Sequence, residues 1–125
     1  MTGPGTLLKA AELFREAAGL ISHRGYKPWA PAGDEPGYSL STALCAVTSC
    51  DPSGRHTPPC AALHAQLAGY LYMSGRIASG GAYLPAVVAA WEEYDPALRY
   101  RSGTEVIAIL EQAAAITGEL ALTAS

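Results

Sequence analysis

The stretch Ser102-Gly103-Thr104-Glu105-Val106-Ile107-Ala108-Ile109-Leu110-Glu111-Gln112-Ala113-Ala114-Ala115-Ile116 decides the fold class. Val106, Ile109, Leu110, Ala113 and Ile116 recur at steps of three and four, which lines one face of an α-helix with apolar side chains. In front of them Ser102 and Glu105 have capping-box spacing: the serine oxygen takes a first-turn amide and the glutamate reaches back to the serine amide. Gly118 either ends this helix or weakens it.

The same period governs the rest of the chain. Leu7, Ala11, Phe14, Ala18 and Ile21 predict a first helix from about Thr6 to His23, with Glu12 and Glu16 facing water and Gly25 as its stop. Tyr26 to Gly37 holds three prolines, which forbid a helix, and its aromatics Tyr26 and Trp29 are expected to pack back on the domain. Leu40, Leu44 and Val47 mark a second helix from Ser39 to Cys50. Thr57-Pro58-Pro59 reads as an N-cap followed by first-turn proline. The third helix it opens runs to Ser74 before Gly75, with Cys60, Leu63, Leu67, Tyr70 and Leu71 on its inner face. Tyr83, Val87, Trp91 and Tyr94 predict a fourth helix, Leu84 to Tyr94. No stretch alternates long enough for a sheet. The expected fold is all-α: one domain over residues 1–125, a compact bundle of about five helices with a Pro/aromatic-rich loop after the first and residues 1–5 as a disordered tail.

Composition narrows the function. The chain has 125 residues, half of them hydrophobic and 15% charged, so disorder is excluded. A net charge of −3 argues against nucleic acid or an anionic membrane as partner. No apolar run is read as approaching the roughly 18–20 residues of a bilayer span, and no leader is visible. Three cysteines without scaffold spacing point to a reducing cytoplasm. Abundant alanine, and arginine in excess of lysine, suggest a GC-rich bacterial coding sequence.

Cys45, Cys50, His56, Cys60 and His64 form the densest chemical cluster, spaced C-x4-C-x5-H-x3-C-x3-H. Zinc takes four such ligands in a tetrahedron, and Cys60 and His64 lie one helical turn apart. There is no C-x2-C knuckle, and Cys60 also fits the apolar stripe, so core packing is preferred and no metal is assigned. The same residues offer a thiol nucleophile, Cys45, with His64 as its base on a neighbouring helix. Seven tyrosines and two tryptophans beside one phenylalanine suit an aromatic-lined pocket. Glu92-Glu93, followed by Arg99 and Arg101, reads in preference as a solvated helix end. There is no phosphate loop, G-x-G-x-x-G, G-x-S-x-G or H-E-x-x-H, so no cofactor is expected.

Four stretches in this order resemble a family of small bacterial domains of unknown function common in actinobacteria. They are His23-Arg24-Gly25-Tyr26, Leu44-Cys45-Ala46-Val47, Trp91-Glu92-Glu93 and Gly103-Thr104-Glu105-Val106-Ile107-Ala108-Ile109-Leu110-Glu111-Gln112-Ala113-Ala114. They match R-G-W, C-A-x-G-A, W-N-D and T-x-x-E-V-[IL]-x-x-L-x-x-A-A patterns. Here Glu92-Glu93 stands for the N-D pair and Val47-Thr48 occupies the region of the pattern's glycine. The resemblance implies a helical fold and no particular activity, and it gives Cys45 a counterpart.

The expected function is a cofactor-independent enzyme of bacterial specialised metabolism, an isomerase or cyclase acting on an apolar or conjugated small molecule. Cys45 and His64 would be catalytic, and Tyr26, Trp29, Tyr70 and Trp91 would bind the substrate. The alternative is a non-catalytic interaction or regulatory domain, a possible homodimer, with a structural zinc site as its minor variant.

Overall fold

In a computed structural model of the chain, residues 4–26, 38–48, 58–75, 91–92 and 102–124 are described. They form helices α1 (Pro4–Arg24), α2 (Leu40–Val47), α3 (Pro58–Met73) and α4 (Gly103–Ala124), with no strand among the described residues. The fold is all-helical. Trp91 and Glu92 are helical too. The rest of the predicted fourth helix lies outside the described residues.

α1 and α4 form the main packing pair. Phe14, Ala17, Ala18 and Ile21 from α1 share one core with Val106, Ile109, Leu110, Ala113 and Ala114 from α4. Leu40 and Leu44 of α2 and Leu63, Leu67 and Leu71 of α3 complete it. Four alanines in the α1–α4 set allow the two backbones to approach while each still buries a continuous apolar stripe.

Several boundaries differ from the sequence reading for local reasons. α1 begins at Pro4, so Pro4 and Gly5 are helical and not part of a tail. Proline suits a first turn because its fixed φ is helical and its missing N–H has no partner there anyway. α2 stops at Val47, three residues short of Cys50, because Thr48 caps it. The Thr48 hydroxyl donates to the Leu44 carbonyl at 2.8 Å, which satisfies a last-turn acceptor. α4 runs through Gly118 to Ala124. Its buried stripe advances from Ala113 to Thr117, not to Ile116, which is 43% exposed. A four-residue step keeps the stripe under α1 at 3.6 residues per turn, whereas a further three-residue step rotates out of contact.

Gly103–Thr123 is long and apolar enough to cross a membrane by length and composition, with a mean hydropathy of 1.4. This corrects the reading that no stretch approaches a span. Glu111 and Glu119 interrupt the uncharged run but leave the window's average high. Within the bundle 39% of that window is buried, and both glutamates lie on its exposed side.

The serine half of the predicted capping box on α4 is present: Ser102 Oγ accepts the Glu105 amide at 3.2 Å, and Ser102 O accepts the Val106 amide at 3.0 Å. Ser102→Ala should cost about 1 kcal/mol, read as a lower urea midpoint at unchanged slope. An unchanged midpoint would mean that water serves that amide equally well.

Candidate functional site

Two helix ends position the site. Gly25 closes α1 in the left-handed region at φ +100°, which glycine adopts without a Cβ clash. Its carbonyl then accepts the Tyr38 amide at 3.0 Å, which brings the start of α2 beside the end of α1. Ser39 caps α2 reciprocally with Thr42: Thr42 N donates to Ser39 Oγ at 3.1 Å and Ser39 N to Thr42 Oγ1 at 2.7 Å. From this fixed start, α2 carries Cys45 in its last turn, against α3.

There the three residues Cys45, Cys60 and His64 meet. Cys45 Sγ lies 3.5 Å from Cys60 Sγ, and Cys60 Sγ lies 3.6 Å from His64 Nδ1. One ligand atom from each residue lies within 4.8 Å of the other two. Cys60 and His64 are fully buried, and Cys45 is half-buried. His64 Nδ1 is also 2.9 Å from the Cys60 carbonyl. A carbonyl only accepts, so Nδ1 carries a proton in this contact.

These separations suit a metal. Zinc–sulfur and zinc–nitrogen bonds in a tetrahedron give edges of about 3.8 Å between two sulfurs and about 3.6 Å between sulfur and nitrogen. The observed 3.5 and 3.6 Å are close to these edges, and all three ligand atoms lie within 4.8 Å of one another. The helix explains half of this, since residues four apart share a face. Packing of α2 on α3 explains the other half. Cys50 and His56, the other members of the sequence cluster, lie outside the described residues.

Of the four expected wall aromatics, Tyr26, Tyr70 and Trp91 are among the described residues. Trp29 lies outside the described residues. The Tyr26 hydroxyl donates to Glu92 Oε2 at 2.7 Å, and its Cβ sits so close to Gly103 that a Cβ there would come within 2.9 Å. The Tyr70 hydroxyl donates to Gln112 Oε1 on α4 at 2.9 Å. Trp91 is buried in the shared core. Two open clefts can be described. One lies between α1 and α4 at Arg15, His23, Ile107 and Glu111, and another between α1 and α3 at Lys9, Leu13, Pro59 and Leu63.

Glu92 is the residue that sequence reasoning misplaced. It is 4% exposed, not part of a solvated helix end. Its Oε2 accepts the Leu40 amide at 2.8 Å as well as the Tyr26 hydroxyl. Leu40 opens α2, so its amide is one of the orphan donors of the first turn, and a carboxylate there also meets the positive end of the helix dipole. The available signal was its place beside Trp91 on an apolar stripe. The compensating amide is 52 residues away in sequence.

Comparison with protein-family models, with curated proteins and with solved structures finds no match for this chain, so its resemblance to the actinobacterial domains rests on the quoted motifs alone.

Proposed function

We propose that the protein is a metal-binding helical domain whose Cys45, Cys60 and His64 hold a zinc-like ion, and that the ion clamps α2 to α3. The observation that carries this reading is the convergence of two sulfurs and an imidazole within 4.8 Å across two helices. Thiolate and imidazole are the ligand types that select zinc and other borderline or soft metals over magnesium or calcium. An ion held there would need Cys45 and Cys60 as thiolates and an unprotonated imidazole nitrogen of His64, so binding would release protons. In this reading the bundle has five helices, one of them containing Trp91 and Glu92. In this reading the domain serves as an interaction or regulatory module.

Titration of the metal-free full chain with zinc tests this against a competing chromophoric chelator. One zinc per chain is expected, with cobalt giving intense thiolate charge-transfer absorption in its place. Cys60→Ala and His64→Ala should each abolish stoichiometric uptake. Undiminished uptake in both variants, or none in the parent, would overturn the assignment.

A second reading is favoured by the half-buried state of Cys45. Cys45 is more exposed than Cys60 and His64 beside it, which suits a thiol-assisted isomerase or cyclase of apolar or conjugated molecules. Under that reading Cys45→Ser and His64→Ala lower turnover by at least about tenfold with little change in Tm. Under the metal reading there is no turnover to lower.

A further inference from the structure

The two sulfurs that would share the metal are also placed to react with each other. Cys45 Sγ and Cys60 Sγ are 3.5 Å apart, and a disulfide needs about 2.05 Å. Rotation of the two side chains supplies the remaining approach of about 1.5 Å, because both sulfurs already face one another from α2 and α3. Their exposures differ in a useful way. Cys45 is half-buried at the end of α2, whereas Cys60 is fully enclosed. An oxidant from solution therefore meets Cys45 first, and Cys60 is held behind it as the resolving thiol.

We infer that Cys45 and Cys60 form a reversible disulfide, and that its formation expels the metal held by the same sulfurs. The expulsion half rests on the metal reading above, and the disulfide itself does not. With a peroxide as oxidant the steps balance. The Cys45 sulfur attacks one peroxide oxygen, the O–O bond breaks, and sulfenic acid and one water result. The Cys60 sulfur then attacks the Cys45 sulfur, the S–OH bond breaks, and the departing hydroxide takes the remaining thiol proton as a second water. Two hydrogens leave the protein and the peroxide is reduced to two waters. A small dithiol reverses the change by exchange through a mixed disulfide and is itself oxidised. Both sulfurs are consumed in the bridge, so of the three described ligands only His64 remains and the ion is lost.

The test uses the full metal-free chain with Cys50→Ser, which removes the third thiol, and the parent chain in parallel. Each is treated with stoichiometric hydrogen peroxide and followed by intact mass and peptide mapping. The expected result is loss of two hydrogens and a cross-linked Cys45–Cys60 peptide pair, both reversed by dithiothreitol. In Cys60→Ala with Cys50→Ser, oxidation should stop at Cys45 as a sulfenic acid that dimedone traps. An unchanged mass, or over-oxidation of Cys45 without a cross-link, would overturn the disulfide. In a second arm the zinc-treated protein receives peroxide with a chromophoric chelator present, and zinc should appear in step with the disulfide. A disulfide without any bound zinc to release would sink the metal reading and the expulsion while leaving the disulfide standing.

Discussion

Glu92→Ala is expected to lower the stability of the fold by about 3–5 kcal/mol, because two buried donors lose a carboxylate acceptor and each such loss costs about 1–3 kcal/mol. At this chain length that corresponds to a fall in Tm of about 10 °C or more. The carboxylate is 4% exposed, and a single oxygen, Oε2, takes both the Leu40 amide and the Tyr26 hydroxyl. Truncation takes this acceptor from both donors at a buried position. It also removes negative charge from the N-terminus of α2, where the dipole favours it. Ser39 cannot compensate, because its oxygen already takes the Thr42 amide. Glu92→Gln separates the contributions: it keeps an oxygen acceptor of the same reach and loses the charge, so its loss should be smaller. Urea and thermal unfolding of both variants provide the check. Parental stability in Glu92→Ala would show that the carboxylate is solvated and that α2 starts without it.

The second large effect concerns the metal. A ligand that binds the native state alone stabilises it by mass action, about 4 kcal/mol at a free concentration one thousand times its Kd. Zinc at that excess should therefore raise the unfolding free energy of the parent chain by about that amount, and a chelator should reverse it. The chain should remain folded after chelation, because Phe14, Leu67, Leu110 and their neighbours build the core without any ion. Cys60→Ala should fold with a modest packing loss and show no further gain on adding zinc. That comparison separates the clamp from the core, since the variant removes the sulfur common to both short contacts. An equal zinc-dependent gain in the parent and in Cys60→Ala would place the ion elsewhere.

Placement of α2 is what both predictions probe. At its N-terminus Glu92 and Ser39 take up first-turn amides, and in its last turn Cys45 meets the sulfur of Cys60. α2 is eight residues long, too short for a helix to be stable by itself in water. Its position is therefore set by these end contacts together with Leu40, Ala43 and Leu44 in the core.

The sequence by itself determined what is local. Spacing of three and four marked Leu7 to Ile21 and Val106 to Ala113 as buried helix faces, because helical geometry repeats every 3.6 residues whatever the neighbours are. Ser102 was readable as a cap and Gly25 as a stop, since each acts on backbone within one turn of itself. Cys60 and His64 could be placed on one face for the same reason. Tertiary structure alone decided the rest. Whether Cys45 reaches Cys60 depends on how α2 lies against α3, and no spacing rule encodes that angle. The sequence also made Glu92 look like surface, because burial of a carboxylate is unfavourable unless donors await it. Those donors, the Leu40 amide and the Tyr26 hydroxyl, come from segments 52 and 66 residues away, and only the folded chain assembles them.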